Sequence, residues 1–272
     1  MRDLPTIAFL GAGQMAEAVL RGLLRAEAAP PHRLFASDIL PARLDYIERE
    51  LGIQTFRSNQ DALRQAEIAI IAVKPQDAPT LLFDMQQAVH TGHLVISVAA
   101  GVKLATIESV LPPEVPVIRV MPNTPAFVSE GMAVLAPGRH ATPEHEATAR
   151  QIFEPVGKVL VLPESKMDAV TALSGSGPGF VALVIEALAD GGVAAGLPRE
   201  TALLLAAQTV LGTARLALER NLHPAVIKDM VASPAGTTIA GLAALEEGGV
   251  RGALINAVLA ATRRSEELGR LA

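Results

Sequence analysis

Apolar residues follow two different rhythms along this chain. Up to about Leu162 they come in short unbroken runs set between glycine, proline and polar clusters. Such runs suit strands covered on both faces. They predict strands at Ile7–Leu10, Arg33–Ser37, Ile53–Phe56, Ala66–Val73, His93–Val98, Val115–Met121, Gly131–Leu135 and Val156–Val161. Helical stretches fall between them: about Gln14 to Ala28, Pro41 to Leu51, Ala78 to Val89, and one opened by Thr142 as N-cap with Pro143 at its first position. Strands alternating with helices predict an α/β fold with one open, mainly parallel sheet. From about Glu164 no strand pattern survives. Helices are expected at Ser165–Leu173, Gly179–Ala195, Glu200–Arg220, Ala225–Val231, Thr238–Glu247 and Val250–Leu268. Arg199 to Leu218 is apolar over much of its circumference and should be buried on several sides. The expected division is therefore residues 1–163, an α/β domain, and residues 164–272, an all-helical domain interlocked with a partner subunit.

The first strand runs directly into Gly11-Ala12-Gly13-Gln14-Met15-Ala16 and a helix. This spacing is that of a dinucleotide-binding turn. Gly11 permits the tight turn, Gly13 lets a pyrophosphate approach the backbone, and Ala16 lets helix pack on strand. Free N–H groups at the helix start, from Gln14 and Met15 onward, would hold the phosphates. Asp38 lies about 22 residues past Ala16, where a carboxylate would bond a ribose 2′-OH. Alone it favours NAD over NADP; Ser37 and Arg43 beside it are candidates to receive a 2′-phosphate. Asp38 reads equally as a cap for the next helix. Val73-Lys74-Pro75 ends the fourth strand beside the expected crevice, with Lys74 either meeting ribose or phosphate or simply solvated. Ala99-Ala100-Gly101 is a loop small enough for close contact with a ring. Asn123, inside Pro122-Asn123-Thr124-Pro125, is either a polar group aimed outward, expected with Ala99 to Gly101 beside the nicotinamide of the coenzyme, or an ordinary Asx turn.

Two stretches of the helical half carry hydroxyls and glycines. Leu173-Ser174-Gly175-Ser176-Gly177-Pro178-Gly179 enters a long helix and offers a concave set of donors suited to an anion. Ala232-Ser233-Pro234-Ala235-Gly236-Thr237-Thr238 ends one helix and starts another. Each is also readable as a helix break with hydroxyl caps. Both together, opposite a nucleotide fold, favour a small carboxylate substrate.

Composition narrows the picture. The chain has 272 residues, half of them hydrophobic and 19% charged, which suggests surface buried between subunits. No apolar run is expected to span a membrane. Met1 to Pro5 lead straight into the first strand, leaving no room for a signal peptide. Absence of cysteine excludes disulfides, thiolate zinc sites and a cysteine nucleophile, and fits a cytoplasmic protein. A net charge of −5 without a basic cluster argues against nucleic acid, as does a total of one Tyr, seven Phe and no Trp for stacking on bases. No histidine pair has metal-ligand spacing; His145-Glu146 begins like a zinc helix but lacks the second histidine. No acid–base dyad is evident, which suits a substrate that supplies its own electrophile.

The motifs FLGAGQMAEAV, AVKP (Ala72 to Pro75), AAGV (Ala99 to Val102), MPNTP (Met121 to Pro125), LSGSGP (Leu173 to Pro178), ALADGGV, GLPR, SPAGTTI (Ser233 to Ile239) and LINAV follow in order over nearly the whole chain. Together they resemble the pyrroline-5-carboxylate reductase family. The resemblance implies a Rossmann domain followed by a helical domain that swaps into a homodimer, with dimers assembling into rings. It implies NAD(P)H reduction of a cyclic imine, with Ser174, Gly175, Ser176, Ser233, Gly236, Thr237 and Thr238 around the substrate; Ser37 and Arg43 against Asp38 favour NADPH, with NADH tolerated. Thr238 is the hydroxyl the family places at the imine nitrogen. Three departures stand out: Ala235 where glycine is usual, Gly179-Phe180 where Ala-Tyr is frequent, and Asp38. A 3-hydroxyacid dehydrogenase of the same build would carry a helical lysine followed four residues on by Asn, whereas Lys228 is followed by Val231 and Ala232. A non-catalytic NAD(P) sensor would need neither hydroxyl-rich stretch.

Overall fold

The computed structural model describes residues 4–270. Met1 to Asp3, on which the expectation about a signal peptide partly rests, lie outside the described residues. The apolar runs form strands β1 (Ile7–Leu10), β2 (Leu34–Ser37), β3 (Gln54–Phe56), β4 (Ile68–Ile71), β5 (Leu94–Ser97), β6 (Val117–Met121), β7 (Gly131–Pro137) and β8 (Gly157–Val161). They join into one sheet in the order 3-2-1-4-5-6-7-8. Neighbours are parallel except β6 and β7, which run antiparallel with Val120 opposite Leu135. All residues of β1, β2, β4 and β5 are buried. Parallel strands need crossover helices, and those cover both faces.

The crossovers are α1 (Gln14–Arg25), α2 (Pro41–Leu51), α3 (Asn59–Leu63), α4 (Ala78–Met85) and α5 (Leu104–Val110), with α6 (Pro143–Phe153) between β7 and β8. Alternation along β1 splits the core in two. Ile7 and Phe9 pack with Leu20, Leu23 and Phe153, whereas Ala8 and Leu10 pack with Leu63, Leu82 and Ile107. Helices α3 and α5 have no counterpart in the apolar periodicity, because five and seven residues are too few to display it. A local signal exists for α3: Ser58 Oγ accepts the Asp61 N–H at 3.2 Å. Buried Arg119 on β6 is paired with Glu164 at 3.0 Å, and Glu164 also accepts the Leu104 N–H. A buried cation left unpaired would be strongly destabilising.

The chain divides into two compact units. One comprises the residues up to Ser176 together with the chain end from Ala261; the other is Gly177–Ala260. Helix α7 (Met167–Val170) and a π-helical turn, Thr171–Gly175, close the first unit. Its returning segment is tied by Ser265 Oγ, which donates to Asp168 Oδ1 at 2.7 Å. The second unit contains α8 (Gly177–Ala194), α9 (Arg199–Glu219), α10 (Pro224–Val231), α11 (Thr237–Glu247) and most of α12 (Val250–Leu268). Its own core is small: Ala189, Ala202 and Ala206, with Ile185 and Val193 against them. Leu183, Leu204 and Leu218 are 65–69% exposed in the single chain. Burial of α9 on several sides is thus not met within one chain. The expectation that no apolar run reaches membrane-spanning length is corrected as well. The helical run Glu164–Ala194 and α9 are long and apolar enough by length and composition; in the first, α7, the π-turn and α8 follow one another with only Ser176 between the last two.

His93 just before β5 is buried. Its Nδ1 accepts the His90 N–H at 3.2 Å and its Nε2 lies 3.3 Å from the Leu63 carbonyl, which assigns the neutral Nε2–H tautomer. Burial, with the neighbouring His90, pushes its pKa below the ordinary value against the backbone bond to Leu63. Unfolding restores a pKa of about 6.5, so between the two values the unfolded chain binds more protons. Stability from the neutral ring is complete above that pH and is lost as pH falls through it. The melting temperature of the wild type should therefore fall more between about pH 7.5 and pH 5.5 than that of His93→Gln. Equal falls would assign the pH dependence to other groups.

Candidate active site

Strands β1, β2, β4, β5 and β6 all end at one edge of the sheet. The connection order reverses between β1 and β4, and in open α/β sheets that point forms the ligand crevice. The glycine turn, Asp38, Val73-Lys74-Pro75, Ala99-Ala100-Gly101 and Asn123 all follow strand ends on this edge.

Gly11 has φ +97°, and its N–H donates to Ser37 O at 2.9 Å. A Cβ there would lie 2.8 Å from the Ala72 carbonyl oxygen and from Val73 Cγ1, so only glycine fits. Gly13 is the N-cap of α1 in an extended conformation, and no side chain caps the helix. A Cβ at Gly13 would meet nothing within 4 Å. That open space, beside the unpaired N–H groups of Gln14, Met15 and Ala16, fits a pyrophosphate. Ala16 is buried against the sheet.

The Ala12 peptide is held from two sides. Its N–H donates to Asp38 Oδ2 at 2.9 Å, and its carbonyl accepts Arg43 Nε at 2.5 Å. Asp38 Oδ1 accepts the Leu40 N–H at 2.9 Å. The reading of Asp38 as a helix cap is thereby replaced by an Asx turn, since Leu40 is the N-cap of α2. Arg43 Nη2 also reaches Gly13 O at 3.3 Å and Glu17 Oε2 at 2.5 Å. Glu17 Oε1 accepts from Arg21 Nε and from the Tyr46 hydroxyl. Burial opposes the charge on Glu17, but hydrogen bonds from Arg43 and Arg21 outweigh it and hold its pKa below the usual carboxylate value. Sequence reading missed Glu17 and Tyr46; their only signal was an acidic residue in the first turns of a helix that should hold phosphate.

Ser37 is corrected. It is fully buried and its Oγ donates to Asn59 Oδ1 at 2.7 Å, so it does not face a phosphate. Asn59 in turn donates to Asp84. The Lys74 carbonyl accepts the Asp77 N–H at 3.0 Å, while its side chain makes no hydrogen bond or ion pair among the described residues and stays available at the end of β4. Ala99 is buried, while Gly101 has φ +77° with open space at its Cβ position.

The Asn123 side chain, expected beside the nicotinamide, is engaged in an internal tie. Its Nδ2 donates to Ser174 O at 3.1 Å and Ser174 Oγ at 3.3 Å, and its Oδ1 accepts the Met132 N–H. The Ser174-Gly175-Ser176 cradle also changes. These residues lie within or directly after a π-turn in a continuous helical run, and the Ser176 N–H is taken by Thr171 O. Their backbone donors are not gathered at a helix start. A Cβ at Gly175 would approach Met121 Cε, the far end of a flexible side chain, to 2.6 Å. Hydroxyl groups of Ser174 and Ser176 are what this turn offers a ligand.

In the second unit, Ser233 to Gly236 form a turn closed by Gly236 N–H to Ser233 O at 3.0 Å. Ala235 has φ +55°, the left-handed region. An L-residue there costs about 1–2 kcal/mol. Gly236 caps α11 without a side-chain bond, replacing the expectation of hydroxyl capping. Thr237 and Thr238 therefore begin α11 with free N–H groups.

The family model for pyrroline-5-carboxylate reductase dimerisation matches residues 164–268, and one for NADP oxidoreductases, coenzyme F420-dependent, matches residues 6–101. A pyrroline-5-carboxylate reductase of Methanosarcina acetivorans is 49% identical over 97% of this chain and 98% of its own length. The structure of a pyrroline-5-carboxylate reductase from Coxiella burnetii has a TM-score of 0.92 at 34% identity, covering 97% of this chain and 98% of that one. The Plasmodium falciparum pyrroline carboxylate reductase with NADP bound has a TM-score of 0.88 at 30% identity, covering 98% and 99%.

The two glycines of the turn should separate experimentally. Gly11→Ala should lower the melting temperature, because φ and contact both forbid a Cβ. Gly13→Val should leave the melting temperature within a few degrees yet abolish dinucleotide binding in a fluorescence titration. Retained binding by Gly13→Val would remove the pyrophosphate from this turn.

Proposed function

The chain belongs to the pyrroline-5-carboxylate reductase family, and from that premise we infer that it reduces L-1-pyrroline-5-carboxylate to L-proline, the last step of proline biosynthesis. The observation that carries this reading is a pair of helix starts capped only by glycine. Gly13 opens α1 and Gly236 opens α11, both without a side-chain cap. Each gathers free N–H groups and the positive end of a helix dipole. One suits a pyrophosphate and the other a small carboxylate.

The residues for NADPH are Gly11, Gly13, Gln14, Met15 and Ala16 at the pyrophosphate. Asp38 and Arg43 serve the adenosine ribose, Lys74 a ribose or phosphate, and Ala99 to Gly101 the nicotinamide. NADH is accommodated by the same set. The coenzyme supplies the hydride that the C=N carbon receives. The free backbone N–H groups of Thr237 and Thr238 suit the substrate carboxylate, with Ser233 beside them and Gly236, whose own N–H closes the turn, leaving the helix start uncapped. The Thr238 hydroxyl bonds the imine nitrogen. A cyclic imine is basic enough to be partly protonated near neutral pH, so no strong side-chain acid is required. Fixed orientation of donor and acceptor provides much of the acceleration.

The exposed leucines of the second unit support a homodimer built through that unit; assembly of such dimers into a ring is part of the same proposal and rests on the family resemblance alone. The reading places the enzyme in the cytoplasm, where reduced nicotinamide coenzymes are regenerated. Light scattering should show a dimer or a multiple of it at micromolar concentration, consistent with an obligate interface above about 2,000 Å². A stable, active monomer would refute this assembly.

Thr238→Ala should lower kcat/KM for pyrroline-5-carboxylate by roughly 10–1,000-fold, the scale of one transition-state donor. NADPH affinity should change little. Wild-type kcat and KM in Thr238→Ala would remove Thr238 from the chemistry. Absence of NADPH or NADH oxidation with pyrroline-5-carboxylate in the wild type would overturn the function itself.

A further inference from the structure

The Arg43 guanidinium is used on one edge and open on the other. Its Nε donates to Ala12 O at 2.5 Å, and Nη2 donates to Gly13 O at 3.3 Å and Glu17 Oε2 at 2.5 Å. Nη1 makes no hydrogen bond among the described residues. The side chain is about a quarter exposed, so this open edge reaches solvent. The Tyr46 ring lies beneath it, 5.0 Å from the guanidinium carbon to the ring centre, and fixes its plane. Asp38, on the other side of the same Ala12 peptide, has both oxygens engaged by backbone N–H groups. A carboxylate held in this way follows β2 where the adenosine ribose of a dinucleotide is bound. Arg43 therefore borders the position that distinguishes NADPH from NADH, the ribose 2′ substituent.

Glu17 decides how much of that cation is available. It is mostly buried, accepts from Arg43, Arg21 and Tyr46, and lies on α1 directly below the phosphate turn. The ion pair sets the Nε and Nη2 edge against the turn and offsets the charge that a 2′-phosphate would meet. We propose that Glu17 is a selectivity-setting residue, which restrains Arg43 through its Nη2 edge and so keeps the preference for NADPH over NADH small. Arg43 touches the coenzyme through Nη1; Glu17 acts only through Arg43. The proposal rests on the dinucleotide site described above, and it deepens that reading by naming what tunes the choice of coenzyme.

The test measures equilibrium binding of NADPH and of NADH by nicotinamide fluorescence, in wild type, Glu17→Gln, Arg43→Gln and the double variant. The readout is the ratio of the two dissociation constants, which a general loss of fold or affinity does not move in a set direction. Wild type should favour NADPH by less than about tenfold. Glu17→Gln should raise the preference at least fivefold, and the gain should shrink in high salt, since a charge is what has been released. Arg43→Gln should lower it at least fivefold. The double variant should match Arg43→Gln alone, because without the guanidinium Glu17 has nothing to restrain. A ratio within twofold of wild type in Glu17→Gln overturns the proposal, as does a double variant in which the Glu17 effect survives. If Glu17→Gln gives no cooperative melting transition, Glu17→Asp replaces it, with a shift of the same sign and smaller size expected. An unchanged ratio in Glu17→Asp counts against the proposal equally. Failure of the wild type to turn over pyrroline-5-carboxylate while both coenzymes bind would overturn the assigned reaction and leave this inference standing.

Discussion

The first unit is arranged around a single peptide group, that of Ala12. Its N–H is taken by Asp38 from the end of β2, and its carbonyl by Arg43 from α2. The preceding N–H, of Gly11, goes to Ser37. With these groups satisfied internally, the turn between β1 and α1 presents only the N–H groups at the start of the helix. A site of this kind needs no rearrangement to receive a phosphate, and the binding energy is not diverted into ordering the loop. The sheet enforces the arrangement, because β2 pairs in parallel with β1 and delivers Ser37 and Asp38 to the same edge.

Much of this was legible in the sequence where chemistry and spacing are local. The glycine turn, the alternating strands and the helical second half follow from residues close together along the chain. What was not legible depends on partners brought in by folding. Glu17, Arg43 and Tyr46 come from two helices, and nothing in either helix alone marks the ion pair. Ser37 was read as a phosphate contact because its neighbour Asp38 lies at a ribose position. Only the depth of β2 in the sheet shows that its hydroxyl turns toward Asn59. The segment Ser174 to Ser176 misled for a different reason. Glycine and serine usually break helices, yet here a π-turn absorbs them, Asn123 ties the turn to the sheet, and Gly175 lets Met121 come close.

The second unit shows the limit of reading one chain. Its helices are apolar on many sides but bury only a few alanines, an isoleucine and little else among the described residues. By length and composition α9, and the run Glu164–Ala194 that ends in this unit, pass for membrane spans. The same composition is what an interface between subunits needs, and residues 164–268 match the dimerisation family of pyrroline-5-carboxylate reductases.

Ala235 shows how one methyl group acts on both ends of the folding equilibrium. In the folded turn its methyl group stands in the left-handed region, where an L-residue is held against a cost of about 1–2 kcal/mol. In the unfolded ensemble the same methyl group excludes conformations that glycine would visit, which is worth about 0.4–1 kcal/mol in the other direction. The two effects act on opposite ends of the folding equilibrium, and at a positive φ the folded-state cost is the larger. Glycine would be the more stable residue at this turn, and alanine is held there by the rest of the fold.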